Sequence, residues 1–145
     1  MSGSEKQSFR EIYEGWLSGL LTWQDFETVF RSVKSTAGDG WWVYDTRGAV
    51  PADAETPTAL VARLDEIEAF LRRYHKADYC GFVYADDRAR PSLVKVYDPR
   101  NASSCSLGTP IPVFTISRMP PDALPYATEA AAPAGILGRI FKGAS

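Results

Sequence analysis

The sequence predicts an α+β fold: an N-terminal helical pair, then a mostly antiparallel sheet of about four strands with one long helix packed on one face. Three observations carry this expectation. Apolar residues recur at helical spacing in three stretches, two of them almost adjoining. Short runs rich in β-branched and aromatic residues are bounded by turn chemistry. Those runs follow the order strand, helix, strand, strand, strand, which favours hairpin pairing over the regular alternation of a parallel sheet.

The elements follow in order. Phe9, Ile12, Trp16, Leu17 and Leu20 recur at helical spacing, with Arg10, Glu11 and Glu14 on other faces. Ser8 stands where an N-cap is needed, and Glu11 follows three residues later to complete a capping box. Thr22 and Asp25 repeat that start signal before the stripe Phe26, Val29, Phe30 and Val33. The join at Leu20–Thr22 is so short that the two helices are expected as a tight corner or antiparallel hairpin.

"STAGDG" (Ser35 to Gly40) supplies turn residues, and "WWVYD" then reads as a strand. After the loop "TRGAVPADAETP", Thr56 and Pro57 form a cap and first helical position, where the missing proline N–H costs nothing. Leu60, Leu64, Ile67, Leu71 and Tyr74 mark the buried face of the long helix. Arg72, Arg73, His75 and Lys76 gather at its C-terminal end, where positive charge opposes the helix dipole. "YCGFVYAD" (79–86) and "SLVKVYD" (92–98) read as a hairpin joined by "DRARP". A turn centred there pairs residues whose numbers sum to about 177, which sets Cys80 opposite Tyr97. Lys95 between Val94 and Val96 implies one covered and one wetter face. "IPVFTISRM" (111–119) is the last strand, with Phe114 and Ile116 on one side and Val113 and Thr115 on the other.

The chain has 145 residues, 45% hydrophobic and 23% charged, which fits one globular domain over 1–120. Residues 121–145 change to a Pro- and Ala-rich tail that ends in the short amphipathic run Ile136, Leu137, Ile140 and Phe141. A net charge of −2 offers no basic field for phosphate backbones, so no nucleic acid is expected as partner. No apolar run reaches the length of a membrane span, so no membrane association is expected. The opening residues lack the apolar stretch of a signal peptide, and the expected address is cytoplasmic. Cys80 and Cys105 are then expected as free thiols. They are too few for a four-ligand zinc site, and His75, Cys80 and Cys105 lack metal-ligand spacing, so no metal is assigned. No G-x-G-x-x-G or Walker loop is present, and no cofactor is assigned.

Two function classes remain. In the first, Cys105 in the polar loop "YDPRNASSCSLGTP" is a nucleophile, His75 its base and Asp98 the orienting carboxylate, giving a thiol-dependent enzyme or redox-responsive protein. The hairpin register brings the end of the long helix and this loop to one end of the sheet. Asp45 with Arg47 and Asp98 with Arg100 read as loop ion pairs or turn formers, and Asp86–Asp87 as a solvated turn. The second class is the preferred reading: a small binding or accessory protein acting through protein–protein contacts. All four Trp lie in the first 42 residues, and Trp41, Trp42 and Tyr44 cannot all face the helices from one strand. These three aromatics and the tail residues Ile136, Leu137, Ile140 and Phe141 are the candidate binding residues. A protein partner is expected, and a homo-oligomer is one form it can take.

Overall fold

A computed structural model describes residues 8–78, 80–100 and 111–124. Ser8 caps α1 (Phe9–Tyr13) through a complete capping box: its hydroxyl accepts from the Glu11 N–H, and the Glu11 carboxylate accepts from the Ser8 N–H. The helix stops there. Residues 18–19 instead extend into β1 (Ser18–Gly19), which pairs antiparallel with β3 (Val83–Ala85). The spacing of Trp16, Leu17 and Leu20 suits a strand as well as a helix, and sheet pairing decides between them. Leu20 is buried by that pairing, donating its N–H to the Val83 carbonyl at 2.8 Å. At Gly19 the Tyr84 ring lies so close that a Cβ would meet it at 3.0 Å.

Thr22 caps α2 (Trp23–Ser35) by accepting from the Asp25 N–H, and Thr56 caps α3 (Pro57–Tyr74) by accepting from Ala59. Between them runs β2 (Trp42–Asp45), reached through a short 3₁₀ turn and Gly40, whose φ of 86° is the left-handed conformation that favours glycine. β4 (Leu93–Val96) and β5 (Phe114–Ser117) complete a five-stranded sheet of order β1-β3-β4-β5-β2, antiparallel throughout. The fold is α+β, with one strand more than the sequence pattern indicated.

The sheet is covered on both faces. On one, Trp41, Val43, Val83, Ala85, Val94, Val96, Phe114 and Ile116 pack with Leu60, Leu64, Ile67 and Leu71 of α3 and the apolar stripe of α2. Lys34–Asp65 at 2.6 Å and Arg72–Glu27 at 2.9 Å tie the two helices together at the surface. On the other face a smaller cluster joins Phe9 and Ile12 of α1 to Leu93, with Leu17, Met119 and Leu124 against it. The first two helices therefore lie on opposite faces of the sheet, with β1 between them in the chain, and do not form the expected tight pair. Pro121 to Leu124, the start of the segment expected as a tail, follow β5 onto the α1 side, where the Leu124 N–H donates to the Tyr44 hydroxyl. Among the described residues no helix is long and apolar enough to cross a membrane.

Candidate functional site

The hairpin register moves the expected neighbourhood. Val83 pairs with Val96, Tyr84 with Lys95 and Ala85 with Val94. Tyr97 accordingly donates its N–H to the Phe82 carbonyl at 2.8 Å, two positions from the expected Cys80. The cause lies in the turn. The Asp86 carboxylate accepts from the Ser92 and Leu93 N–H groups, and Asp87 accepts from Ala89 and Arg90. A shift of two residues leaves every side chain on its expected face.

His75 follows the last turn of α3 and lines an open groove of about 300 Å³ with Trp23, Arg72, Lys76, Ala77 and Asp78. Its ring meets the edge of Phe82 at 4.5 Å and lies 6.3 Å from Trp23. The Trp23 indole N–H donates to the Ala77 carbonyl, and the Arg72 guanidinium stacks 4.2 Å above the indole. Arg72 is already paired with Glu27 and Glu68, which leaves the groove little net attraction for an anion. Cys80 is buried nearby in the core. Burial pushes its thiol upward, against backbone N–H groups of Phe82 and Gly81 and the charge of Arg72, the opposite of the shift that activates a nucleophilic thiol.

Asp98 does not orient His75: its hydrogen bonds among the described residues go to Arg100. One oxygen accepts from the Arg100 backbone N–H and Nε, the other from a terminal guanidinium nitrogen at 2.8 Å. Burial alone would raise the Asp98 carboxyl, but the Arg100 hydrogen bonds and charge outweigh it and hold the group below the usual carboxylate range. Asp45 and Arg47 repeat this fork bond for bond, with the same net direction. "YDTR" and "YDPR" are thus one local device used at the ends of β2 and β4, a pair of structural ion pairs as expected. Cys105 lies outside the described residues, as do Ile136, Leu137, Ile140 and Phe141.

The aromatic surface expected of Trp41, Trp42 and Tyr44 is not open. Trp41 is fully buried on the α2/α3 side, its indole N–H donating to the Thr36 carbonyl at 3.0 Å. Tyr44 is buried on the opposite side beneath Leu124, and Trp42 is half-buried. Alternation along the strand was legible, but not that both faces would be covered. Among the described residues the exposed large apolar side chains stand elsewhere: Trp16 is 82% exposed, Leu21 66%, Tyr74 40% and Tyr84 37%. Tyr74 ends α3, whereas the other three belong to the β1 rim of the sheet, Trp16 and Leu21 flanking β1 and Tyr84 standing opposite Gly19. The helical spacing that drew Trp16 into the first helix also concealed it as a surface residue.

On the α1 side the row Tyr44, Thr115, Lys95, Tyr84 and Gly19 crosses all five strands. The Lys95 ammonium lies 3.9 Å from the centre of the Tyr13 ring, and Tyr97 meets Tyr84 edge-on at 5.7 Å. Burial pulls the Lys95 amine downward. It pushes the Tyr97 phenol up to about 12, helped by the neighbouring phenols of Tyr13 and Tyr84. Lys95 was visible in the sequence as the polar member of "LVKVY"; its neighbours on other strands were not. Among the described residues no three His, Cys, Asp or Glu side chains gather as a metal-ligand set. Comparison with protein-family models, curated proteins and solved structures finds no match.

Proposed function

We propose that this protein is a small binding or accessory protein that works through protein–protein contacts at the β1 rim, from a cytoplasmic location. The observation that carries the reading is Trp16, 82% exposed beside Leu21 at 66%, on the edge of a domain whose other Trp and most Leu side chains are packed. Trp anchors are over-represented among residues that dominate binding energy, and an edge strand supplies backbone groups for a partner segment. Neither side chain contributes to either core cluster, so the fold does not explain their apolar character. The tail residues Ile136, Leu137, Ile140 and Phe141 remain the second element of this reading, and a second copy of the chain is one partner to be checked.

The test places a photo-crosslinking amino acid at position 16 in cells and compares partner capture with the Trp16→Ser, Leu21→Ser double variant. The expected outcome is a discrete crosslinked species, lost in a competition with the parent chain but not with the double variant, at unchanged melting temperature. Equal competition by both chains would defeat the proposal, and so would a large fall in melting temperature, which would make the rim part of the core. The thiol-enzyme alternative has less support, because its orienting carboxylate is committed to Arg100.

A further inference from the structure

The α1 side of the sheet holds two polar groups whose needs the described residues leave unmet. Thr115 is 0% exposed, and its hydroxyl is the buried side-chain oxygen without a hydrogen-bond partner among the described residues. Directly opposite it stands Lys95. Among the described residues no carboxylate pairs with the Lys95 ammonium, which rests on the Tyr13 ring alone. Side chains directly opposite on antiparallel strands have Cβ atoms about 5 Å apart, so one small group can reach both.

The rest of the fold shows that this is a local exception. The buried Thr46 hydroxyl donates to the Pro112 carbonyl at 2.7 Å, Ser117 donates to Met119, and the buried Asp98 is held by Arg100. A buried hydroxyl with nothing to bond and a half-buried charge without a counter-ion each cost stability. What would satisfy both is a single acceptor carrying negative charge. Around them stand three aromatic rings: Tyr13 over the ammonium, Tyr84 on the neighbouring strand, and Tyr97 edge-on to Tyr84. At the β1 end of the row Tyr84 is 37% exposed, while Thr115 is fully buried.

We propose that this row binds a small aromatic carboxylic acid, its carboxylate accepting from Lys95 Nζ and Thr115 Oγ1 and its ring lying among Tyr13, Tyr84 and Tyr97. A charged acceptor makes the stronger class of hydrogen bond, and Tyr walls suit a planar apolar body. The depression of the Lys95 amine by burial is the mark of an uncompensated cation, which a bound carboxylate reverses. α1 forms the roof, and with five residues packed mainly through Phe9 and Ile12 it is the lightest element to displace. The site shares Tyr84 with the partner surface proposed above, but its polar anchors are Lys95 and Thr115 rather than Trp16 and Leu21, so the two are tested by different variants.

Benzoate is the probe, with benzamide as its neutral isostere. The full chain is titrated with each while the NMR signals of the Lys95 side chain and the Tyr97 ring are followed. The expected result is a saturable shift with benzoate, at a dissociation constant of about 1 mM or tighter. Benzamide and the Lys95→Met variant are expected to bind roughly tenfold more weakly, and Thr115→Val roughly fivefold. A response to benzoate that never saturates, or that benzamide reproduces, overturns the proposal on the parent chain alone. Unchanged benzoate affinity in a folded Lys95→Met chain overturns it as well.

Discussion

On the α2/α3 side of the sheet, the inward side chains from Val43 to Ile116 form one continuous apolar core, whereas the α1 side mixes Leu93 with Thr115, Ser117, Lys95 and tyrosines. The first face is closed by helices of 13 and 18 residues, the second by one of five. Burial of apolar area scales directly with stability, so the α2/α3 side supplies most of what holds the fold together. The α1 side has fewer apolar groups to bury and keeps polar groups that its own packing does not satisfy. A face of that kind is where a ligand can improve on what the chain does for itself.

The sharpest way to break this contrast is a cavity on the strong side. Leu64→Ala is expected to cost about 3 kcal/mol in urea denaturation, since Leu64 is fully buried between α3 and the sheet. A cost below about 1 kcal/mol would mean that the α2/α3 core does not dominate.

The two faces should also respond to opposite ends of the pH scale. Asp98 follows Val94 and Val96 on the α2/α3 side, and its carboxyl is held below its ordinary value of 3.8. Its stabilising contribution is therefore complete above pH 3.8 and is lost as the pH falls through the depressed value. Tyr97 is on the α1 side, and its phenol is raised from 10.0 to about 12. Its contribution is complete below pH 10 and is lost as the pH climbs towards 12, on the order of 1 kcal/mol after allowing for the share still in water. Melting temperatures measured across pH should show a shallower acid limb in Asp98→Asn, with Asp45 supplying the remainder, and a shallower alkaline limb in Tyr97→Phe. An exchange of those effects, or no effect, would contradict the assignment of the faces.

Ser8→Ala removes half of the α1 capping box and is expected to cost at most about 1 kcal/mol. Hydrogen exchange should then quicken in residues 9–13 while α2 and α3 stay protected; loss of protection everywhere would show that α1 is integral to the core. Smallest is Thr115→Val. Because the hydroxyl has no partner among the described residues, its removal is expected to be neutral or stabilising by up to about 1 kcal/mol. A clear destabilisation would show that Thr115 serves the fold rather than a ligand.

Local signals carried most of the fold. Ser8, Thr22 and Thr56 each cap the helix they announce, and Pro57 opens α3 where its missing N–H is harmless. What was not legible depended on partners distant in the chain. Leu17 and Leu20 fit a helical stripe until β3 offers an edge to pair with, and the sheet then takes residues 18–19. That Trp41, Trp42 and Tyr44 cannot share one face was legible, but what covers Trp41 comes from Thr36 and Arg118 and what covers Tyr44 from Leu124. The Lys95–Thr115 pair is formed by strands separated by a long connection, and no local pattern fixes that register.

The strand order has a consequence for how the chain comes off the ribosome. β2 is made early, yet its sheet partner is β5, the last of the described strands to be synthesised, with Tyr44 meeting Thr115. The β3–β4 hairpin can close as soon as Val96 emerges, while Val43 and its neighbours must wait without a sheet partner until residue 117 is clear of the exit tunnel. Non-local closure of this kind is slow, and exposed apolar strands are what holdase chaperones bind. A nascent chain stalled before Phe114 therefore presents Trp42 to Asp45 without the strand that pairs with it in the native sheet.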